Sequence, residues 1–508
     1  MSGRYRRIIG SRLIVTALAV GVQALWFLGL LRFLSAYAFQ LNITLTVLAV
    51  PFVLYVVNKR DEPAYKILWI TAILVFPLFG MIIYLCFGDR KTSLPLKKRL
   101  ARSRARLGPR PAGQPDVVNT LEREAPRVAQ TFRYVEKLGG YSVCPVEEAE
   151  YYPLGEEMFA AMLEELRGAQ RYIYVESFII TEGVMWDGIL DILKEKAAQG
   201  LDIRVIYDDM GSLTTLPPGY AERLRSWGIH CIAFNPMRLL LSGTLNNRDH
   251  RKIMVIDGRA AFSGGINLAD EYINAVEKYG HWKDVGFRVT GPAALHYADM
   301  FLEFWNAFSP DPAPLPKCPQ THKAGPHAGC VLPYYDAPIY RDAVSNQLYI
   351  DLLGQAQRYA WFYTPYLMLG ETLLDAFIRA ARRGVDVRIY MPGIPDKKII
   401  FRLSRSFYRP LLEAGVRIYE YTPGFLHAKA CLVDDELGTI GSVNLDFRSL
   451  FLHFECNALF YRAPLLRELK DDFGKTQGLC REVSPEDQPT GICRRIADSV
   501  LRMIAPLC

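Results

Sequence analysis

The sequence predicts an α/β protein made of two similar halves and preceded by membrane helices. Three observations carry this. Apolar, aromatic strand candidates alternate with helical stretches from about Tyr134 onward. The same order of features is written twice. The first ninety residues hold three uncharged runs, each about as long as a bilayer-crossing helix. Half of the 508 residues are apolar and 12% are aromatic, which excludes a globally disordered chain. A net charge of +7 fits a partner bearing phosphate, and charge alone does not separate lipid headgroups from nucleic acid.

The N-terminal runs are Leu13–Leu31, Ala36–Val57 and Ile67–Phe87, of nineteen, twenty-two and twenty-one residues. The first is too long for the apolar core of a cleaved signal peptide. Basic residues set orientation. Arg4, Arg6, Arg7 and Arg12 precede the first run, and nine basic residues lie between Arg90 and Arg110. Three full crossings would put these two clusters on opposite sides. "FPLFG", Phe76 to Gly80, supplies a break in the third run. The expectation is two crossings plus one re-entrant segment over residues 1–90, with a basic juxtamembrane linker over 91–133 drawn to anionic lipid.

The body is then read as a first half over 134–306, a linker over 307–333 and a second half over 334–508. "RYIYVESFII" (Arg171–Ile180) matches "RYAWFYTPYLM" (Arg358–Met368). "GLDIRVIYDDMGS" (Gly200–Ser212) matches "GVDVRIYMPGIPD" (Gly384–Asp396), and "WGIHCIAFNP" (Trp227–Pro236) matches "AGVRIYEYTP" (Ala414–Pro423). The offset is 187 residues at Gly228 and Gly415 and 177 at His250 and His427, so the first copy carries about ten extra residues, in "MRLLLSGTLNNRD". The linker contains Cys318, His322, His327 and Cys330, which are zinc-ligand types in a Pro- and Gly-rich context; a solvated linker is the simpler reading. The scattered cysteines point to a reduced compartment.

The chemistry sits in "NRDHRKIMVIDG" (Asn247–Gly258) and "LHAKACLVDDE" (Leu426–Glu436). Each reads H-x-K-x4-D: His250, Lys252 and Asp257, then His427, Lys429 and Asp434. A Gly-rich turn and an asparagine follow, with Gly265 and Asn267 in one copy and Ser442 and Asn444 in the other. In an extended segment residues i and i+2 share a face, so His250 and Lys252 are expected to look into one pocket, as are His427 and Lys429. Two imidazoles, two ammonium groups and two amides suit a tetrahedral anion such as phosphate. One imidazole attacks phosphorus, the other protonates the leaving alkoxide, and the lysines and asparagines stabilise charge on oxygen. No metal or other cofactor is needed. Asp257 and Asp434 complete the motif set and are expected to support its structure more than to touch phosphate.

The doubled motif with its trailing G-[GS]-x-N resembles the phospholipase D superfamily, over roughly Tyr134 to Leu479. "FPLFGMIIYLCFG" (Phe76–Gly88), "NRDHRKIMVIDG" and "SVNLDFRSLFLHFECN" (Ser442–Asn457) are similar to bacterial cardiolipin synthases in particular. The resemblance implies a bilobal phospholipase D-like pseudo-dimer with one active site at the pseudo-twofold. It also implies a phosphatidyl-histidine intermediate, with His250 as nucleophile and His427 as general acid and later base, the symmetry of the two motifs allowing the reverse assignment. It places an acid about thirty residues after each histidine to orient its imidazole, which falls on Asp284 and Glu455. The implied substrate is phosphatidylglycerol in an anionic lipid surface, not nucleic acid, and the implied location is the bacterial cytoplasmic membrane with the body facing the cytoplasm. Met237–Leu245, Lys397–Leu412 and Arg494–Cys508 mix apolar and basic residues and are expected to face lipid. A homo-oligomer is left open.

Overall fold

The computed structural model describes residues 17–29, 38–88, 94–110, 115–236, 246–316, 329–340, 342–488 and 491–507. Met237–Leu245 and residues 318, 322 and 327 lie outside the described residues.

The first half contributes β1 (Cys144–Pro145), β2 (Ala149–Tyr152), β3 (Tyr172–Ser177), β4 (Asp202–Asp208), β5 (His230–Phe234), β6 (Ile253–Ile256), β7 (Ala260–Gly264), β8 (His281–Lys283) and β9 (Gly286–Thr290). The second contributes β10 (Cys330–Asp336), β11 (Tyr359–Tyr363), β12 (Asp386–Pro392), β13 (Arg417–Tyr421), β14 (Gly424–Leu426), β15 (Ala430–Val433), β16 (Leu437–Gly441), β17 (Glu455–Tyr461) and β18 (Cys480–Glu482). They form a seven-stranded sheet in the order β2-β9-β7-β6-β3-β4-β5 and a nine-stranded sheet in the order β1-β10-β17-β16-β15-β11-β12-β13-β18. The run β9-β7-β6-β3-β4-β5 therefore recurs as β17-β16-β15-β11-β12-β13. The sequence repeat is a structural repeat.

Its chemistry explains the strand patterns. β3, β4 and β5 pair in parallel, as do β11, β12 and β13, and helices Val184–Ala198 and Glu371–Arg382 make the crossovers. Parallel strands covered on both faces read as near-continuous apolar runs rather than alternations, and every residue of β3 is buried. One strand departs from the expected partition. β1 lies in the first-half sequence but pairs with β10 in the other sheet, and the helix Pro126–Gly139 also packs on β10.

Helix Pro292–Phe308 is buried along Ala293–Asn306 between the two sheets. Helix Leu94–Leu107, the core of the basic run, packs against it. Arg104 donates to buried Asp299 at 2.5 Å and Arg110 to Glu303 at 2.9 Å. The basic run is thus partly a structural strut, because carboxylates buried on Pro292–Phe308 require cationic partners. Lys98, Arg99, Arg102 and Arg106 remain exposed on its other face.

Among the described residues no helix is long and apolar enough to cross a membrane. This differs from the expected two crossings, and the reason is local. The first run is described only over 17–29. In helix Ala38–Asn58, Gln40 and Asn42 occupy the first turns, so the residues free of strong polar groups are Ile43–Val57. Fifteen residues rise about 22 Å, short of a roughly 30 Å hydrocarbon core. The third run breaks at Phe76–Pro77 into helices Pro63–Val75 and Pro77–Phe87, which fold back on each other as a hairpin. Pro77 cannot continue the preceding helix. Gly80 permits the close return: a Cβ there would lie 2.3 Å from the Ala72 carbonyl oxygen. Trp69 and Tyr84 meet edge to face further along, at 5.5 Å. The hairpin docks on the body through Tyr65, whose ring meets Phe447 and Phe451.

Gly80→Leu is expected to prise the hairpin apart and lower the unfolding temperature in detergent, with a shift in tryptophan emission. An unchanged spectrum and melting curve would refute the close pairing.

Candidate active site

The motif is latched at one end by its aspartates. Asp257 and Asp434 turn the chain after β6 and β15 with φ of 56° and 54°, a left-handed geometry that Asp tolerates better than most residues. The Asp257 carboxylate accepts backbone N–H groups from Gln170, Arg171 and Tyr172 at 2.8–2.9 Å. Asp434 accepts those of Gln357, Arg358 and Tyr359 at 2.7–2.8 Å. Each aspartate therefore secures the entry to the neighbouring strand, β3 or β11. Neither lines the cavity that holds the histidines, in keeping with a supporting place in the motif.

At the other end the two halves are stitched crosswise. The His250 N–H donates to the Phe454 carbonyl at 2.9 Å, and the Phe454 N–H returns to the Arg248 carbonyl at 2.8 Å. β14 pairs in parallel with β8 and carries the chain into His427, whose N–H donates to the Lys283 carbonyl at 2.7 Å. Phe454 precedes Glu455 and Lys283 precedes Asp284. The crossing thus delivers each acid to the other half's histidine: His250 Nδ1 lies 2.9 Å from Glu455, and His427 Nδ1 lies 2.6 Å from Asp284. Each acid serves the opposite imidazole, not the one that precedes it by about thirty residues. A carboxylate on Nδ1 fixes the tautomer and leaves Nε2 for chemistry.

The lysines lie behind the imidazoles. Lys252 donates to the His250 carbonyl at 2.5 Å, and Lys429 donates to that of His427. Neither lines the cavity. Lys429 Nζ also lies 2.8 Å from His427 Nδ1, so lysine and imidazole are neighbours, while each long lysine side chain folds back onto the peptide group two residues earlier. Asn267 and Asn444 do line the cavity. Asn267 accepts from the Ile179 N–H at 3.1 Å and donates to the Tyr272 hydroxyl at 2.6 Å, while the Asn444 carbonyl oxygen is unpartnered. Gly265 and Ser442 occupy equivalent positions with different tasks. A Cβ at Gly265 would lie 2.2 Å from an Asp284 oxygen, so glycine makes room for that carboxylate. The Ser442 hydroxyl donates to Glu455 at 2.5 Å.

The cavity encloses about 650 Å³. Tyr272, Trp282 and Phe425 surround His427 with ring centroids at 5.3–5.8 Å. His250 is flanked by Phe178 at 4.9 Å and by a third histidine, His453, at 5.7 Å. His453 was missed in the sequence, where its one signal is its position two residues before Glu455. Arg248, Arg448 and Asp446 also line this side. Burial drives both catalytic imidazoles toward the neutral form: His427 is pushed down to about 4, and His250 well below its ordinary value, with the lysine charges adding to the effect. Burial also lowers Lys252 to about 8 and Lys429 to about 7, against the pull of Glu455 and Asp284. Asp284 stays below the usual carboxylate range because Lys429 and His427 outweigh its burial.

Among the described residues, one group of His, Cys, Asp and Glu places three candidate ligand atoms within 4.8 Å of one another: His250, His453 and Glu455. Its His250–Glu455 edge is the hydrogen bond just described. Cys330 is buried in β10, paired with Tyr461.

Comparison with known proteins points one way. The family described as cardiolipin synthase, PLD-like domain, matches residues 162–305 and 349–476, and a phospholipase D-nuclease N-terminal family matches residues 47–88. The chain is 39% identical to an uncharacterised protein of Streptococcus mutans over 90% of its own length and 99% of that protein. It is 36% identical to a cardiolipin synthase of Geobacillus thermodenitrificans, covering 92% of the chain and 93% of the relative. It is 33% identical to cardiolipin synthase 2 of Bacillus anthracis, covering 91% and 90%. The crystal structure of a phosphatidylserine synthase from Haemophilus influenzae shares the fold, with a TM-score of 0.56 and 18% identity over 74% of this chain and 100% of that one.

Asp257→Ala and Asp434→Ala are each expected to cost about 1–3 kcal/mol of stability through orphaned backbone N–H groups, while the folded fraction keeps most of its turnover. Calorimetry and rates normalised to folded protein check this. Complete loss of turnover at unchanged stability would contradict the latch.

Proposed function

Since the chain belongs to the cardiolipin synthase family of phospholipase D-like proteins, we propose that it transfers a phosphatidyl group from one phosphatidylglycerol to another, giving cardiolipin and glycerol. The observation that carries this is the crossed pair: two buried imidazoles on one cavity, each held by a carboxylate of the opposite half.

The steps take His250 as nucleophile, as the family resemblance implies. His250 Nε2 attacks the phosphorus of the donor, and the bond to the glycerol headgroup oxygen breaks. His427, as imidazolium, gives that oxygen its proton, and glycerol leaves. Protonation of His427 is helped by the phosphodiester, whose negative charge beside the imidazole opposes the effect of burial. His427 then takes the proton from the terminal hydroxyl of a second phosphatidylglycerol. That oxygen attacks phosphorus, the P–N bond breaks, and cardiolipin departs with His250 regenerated. Lys252 and Lys429 supply positive potential from behind the imidazoles. Asn267 and Asn444 offer amide donors at the wall. Asp284 and Glu455 act as positioning residues.

Lipid access is served by one connected apolar margin. Lys397 and Ile400 line the cavity, and Ile399 beside them is 69% exposed. Helix Lys398–Ser406 packs against the C-terminal helix Ile492–Ile504, which exposes Ile492, Ile496 and Val500. That helix meets the N-terminal hairpin, whose Ile67, Leu74, Val75, Ile82 and Leu85 are exposed. We place this margin in the bacterial cytoplasmic membrane, with the hairpin entering and returning and the body on the cytoplasmic side. Phosphatidylglycerol then enters laterally, and the aromatic wall limits hydrolysis of the intermediate.

Purified protein given labelled phosphatidylglycerol, without nucleotide and with chelator present, is expected to release glycerol and form cardiolipin. His250→Ala and His427→Ala should each lower turnover by at least about 10³-fold. Phosphatidic acid as the sole product would mean hydrolysis, and no product without a cytidine nucleotide would mean a different donor.

The pH profile follows from the lysines. A group lowered to about 7 or 8 carries its charge below that value and loses it above. The rate is therefore expected to fall above about pH 7, as Lys429 and then, near pH 8, Lys252 become neutral. A profile still rising at pH 10 would exclude a role for their charge.

A further inference from the structure

The pseudo-twofold maps His453 onto Trp282: each stands two residues before the acid its half provides, and each lines the cavity beside the imidazole that the acid holds. Three aromatic rings close around His427, whereas beside His250 an imidazole replaces the indole. This substitution gives the pocket a polar end, completed by Arg248, Asn444, Asp446 and Arg448.

His453 is nine-tenths buried, and neither of its ring nitrogens has a hydrogen-bond partner among the described residues. The Glu455 carboxylate is 3.7 Å from its Nδ1, beyond hydrogen-bond reach and already committed to His250 and Ser442. A buried polar group left unsatisfied is costly, so an orphan on a cavity wall is a site awaiting a ligand. Burial pushes the ring down to about 4, so it is neutral at ordinary pH. A neutral imidazole carries one N–H donor and one nitrogen acceptor. The two nitrogens lie on divergent edges of the ring, so one ligand atom meets one of them: a phosphate oxygen, which only accepts, can pair with the N–H edge alone, whereas a hydroxyl, which donates and accepts, can pair with either.

We infer that His453 is a specificity-determining residue that binds the secondary hydroxyl of the glycerol headgroup, so that the alcohol exchanged at phosphorus is selected as a vicinal diol. The inference rests on the phosphatidyl-transfer reading and adds which part of the substrate the polar end of the pocket recognises. His453 bonds to no reacting atom. It orients the alcohol whose terminal oxygen leaves in the first half-reaction and attacks in the second.

The test uses the full-length protein in detergent–lipid micelles, with acyl-labelled phosphatidylglycerol as donor and either isotope-labelled glycerol or 1-propanol as acceptor. Wild type is expected to prefer glycerol. His453→Leu should lower the glycerol-to-propanol ratio about tenfold, the worth of one hydrogen bond, with the loss in KM for the acceptor. His453→Asn retains a donor and an acceptor and should recover part of the preference; it also serves if the leucine variant folds poorly. An unchanged ratio in a folded variant overturns the inference. Equal losses for both alcohols also overturn it, since they would mean that His453 acts through Glu455 and His250. A wild type without glycerol preference does the same. Preference for glycerol without cardiolipin formation would instead defeat the proposed function and leave the assignment of His453 standing. No transfer to any alcohol would defeat both.

Discussion

Neither half of this protein contains a complete site. His250 is oriented by Glu455 and His427 by Asp284, and the backbone bonds from His250 to Phe454 and from His427 to Lys283 run between the same segments. Docking of the two sheets and assembly of the chemistry are therefore one event. Charges are buried here, and a buried carboxylate is tolerable only when paired and hydrogen-bonded. Asp284 has His427 and the Val285 N–H; Glu455 has His250 and the Ser442 hydroxyl. Separating the halves would strand both acids.

The duplication is imperfect, and the differences cluster at the site. Aspartate faces glutamate, Gly265 faces Ser442, and Trp282 faces His453. These exchanges are coupled by space. The Asp284 carboxylate lies where a side chain at position 265 would project, so glycine is required there. Glu455 sits within reach of the Ser442 hydroxyl instead. As a result two chemically identical imidazoles have unlike surroundings, one aromatic and one polar.

The regions outside the two repeats divide their work between burial and exposure. Helix Leu94–Leu107 uses Arg104 to neutralise carboxylates on the central helix while other basic residues stay on the surface. The N-terminal hairpin buries Trp69, Ile73, Met81 and Tyr84 with Leu45, Ala49 and Val56 of helix Ala38–Asn58 and leaves Ile67, Leu74, Val75, Ile82 and Leu85 outward. The break at Pro77 and the absence of a Cβ at Gly80 let two short helices pair where one long helix would otherwise have formed.

How much of this was legible beforehand depends on range. Local chemistry was readable: the doubled H-x-K-x4-D, the Gly turns, the parallel strands as unbroken apolar runs, and the break at Phe76–Pro77 all follow from neighbours in the chain. The sequence by itself determined that there are two copies of one α/β unit, and it named the two motif histidines and the two acids that the structure brings together. It did not determine which acid serves which histidine, since a spacing of about thirty residues is silent about a partner in the other half. Nor did it show which strands Asp257 and Asp434 latch, or that His453 faces the cavity with no hydrogen-bond partner among the described residues. Only the tertiary structure decided these, because each depends on the approach of segments up to two hundred residues apart, and that approach is governed by the packing of whole sheets rather than by the pattern within any one of them.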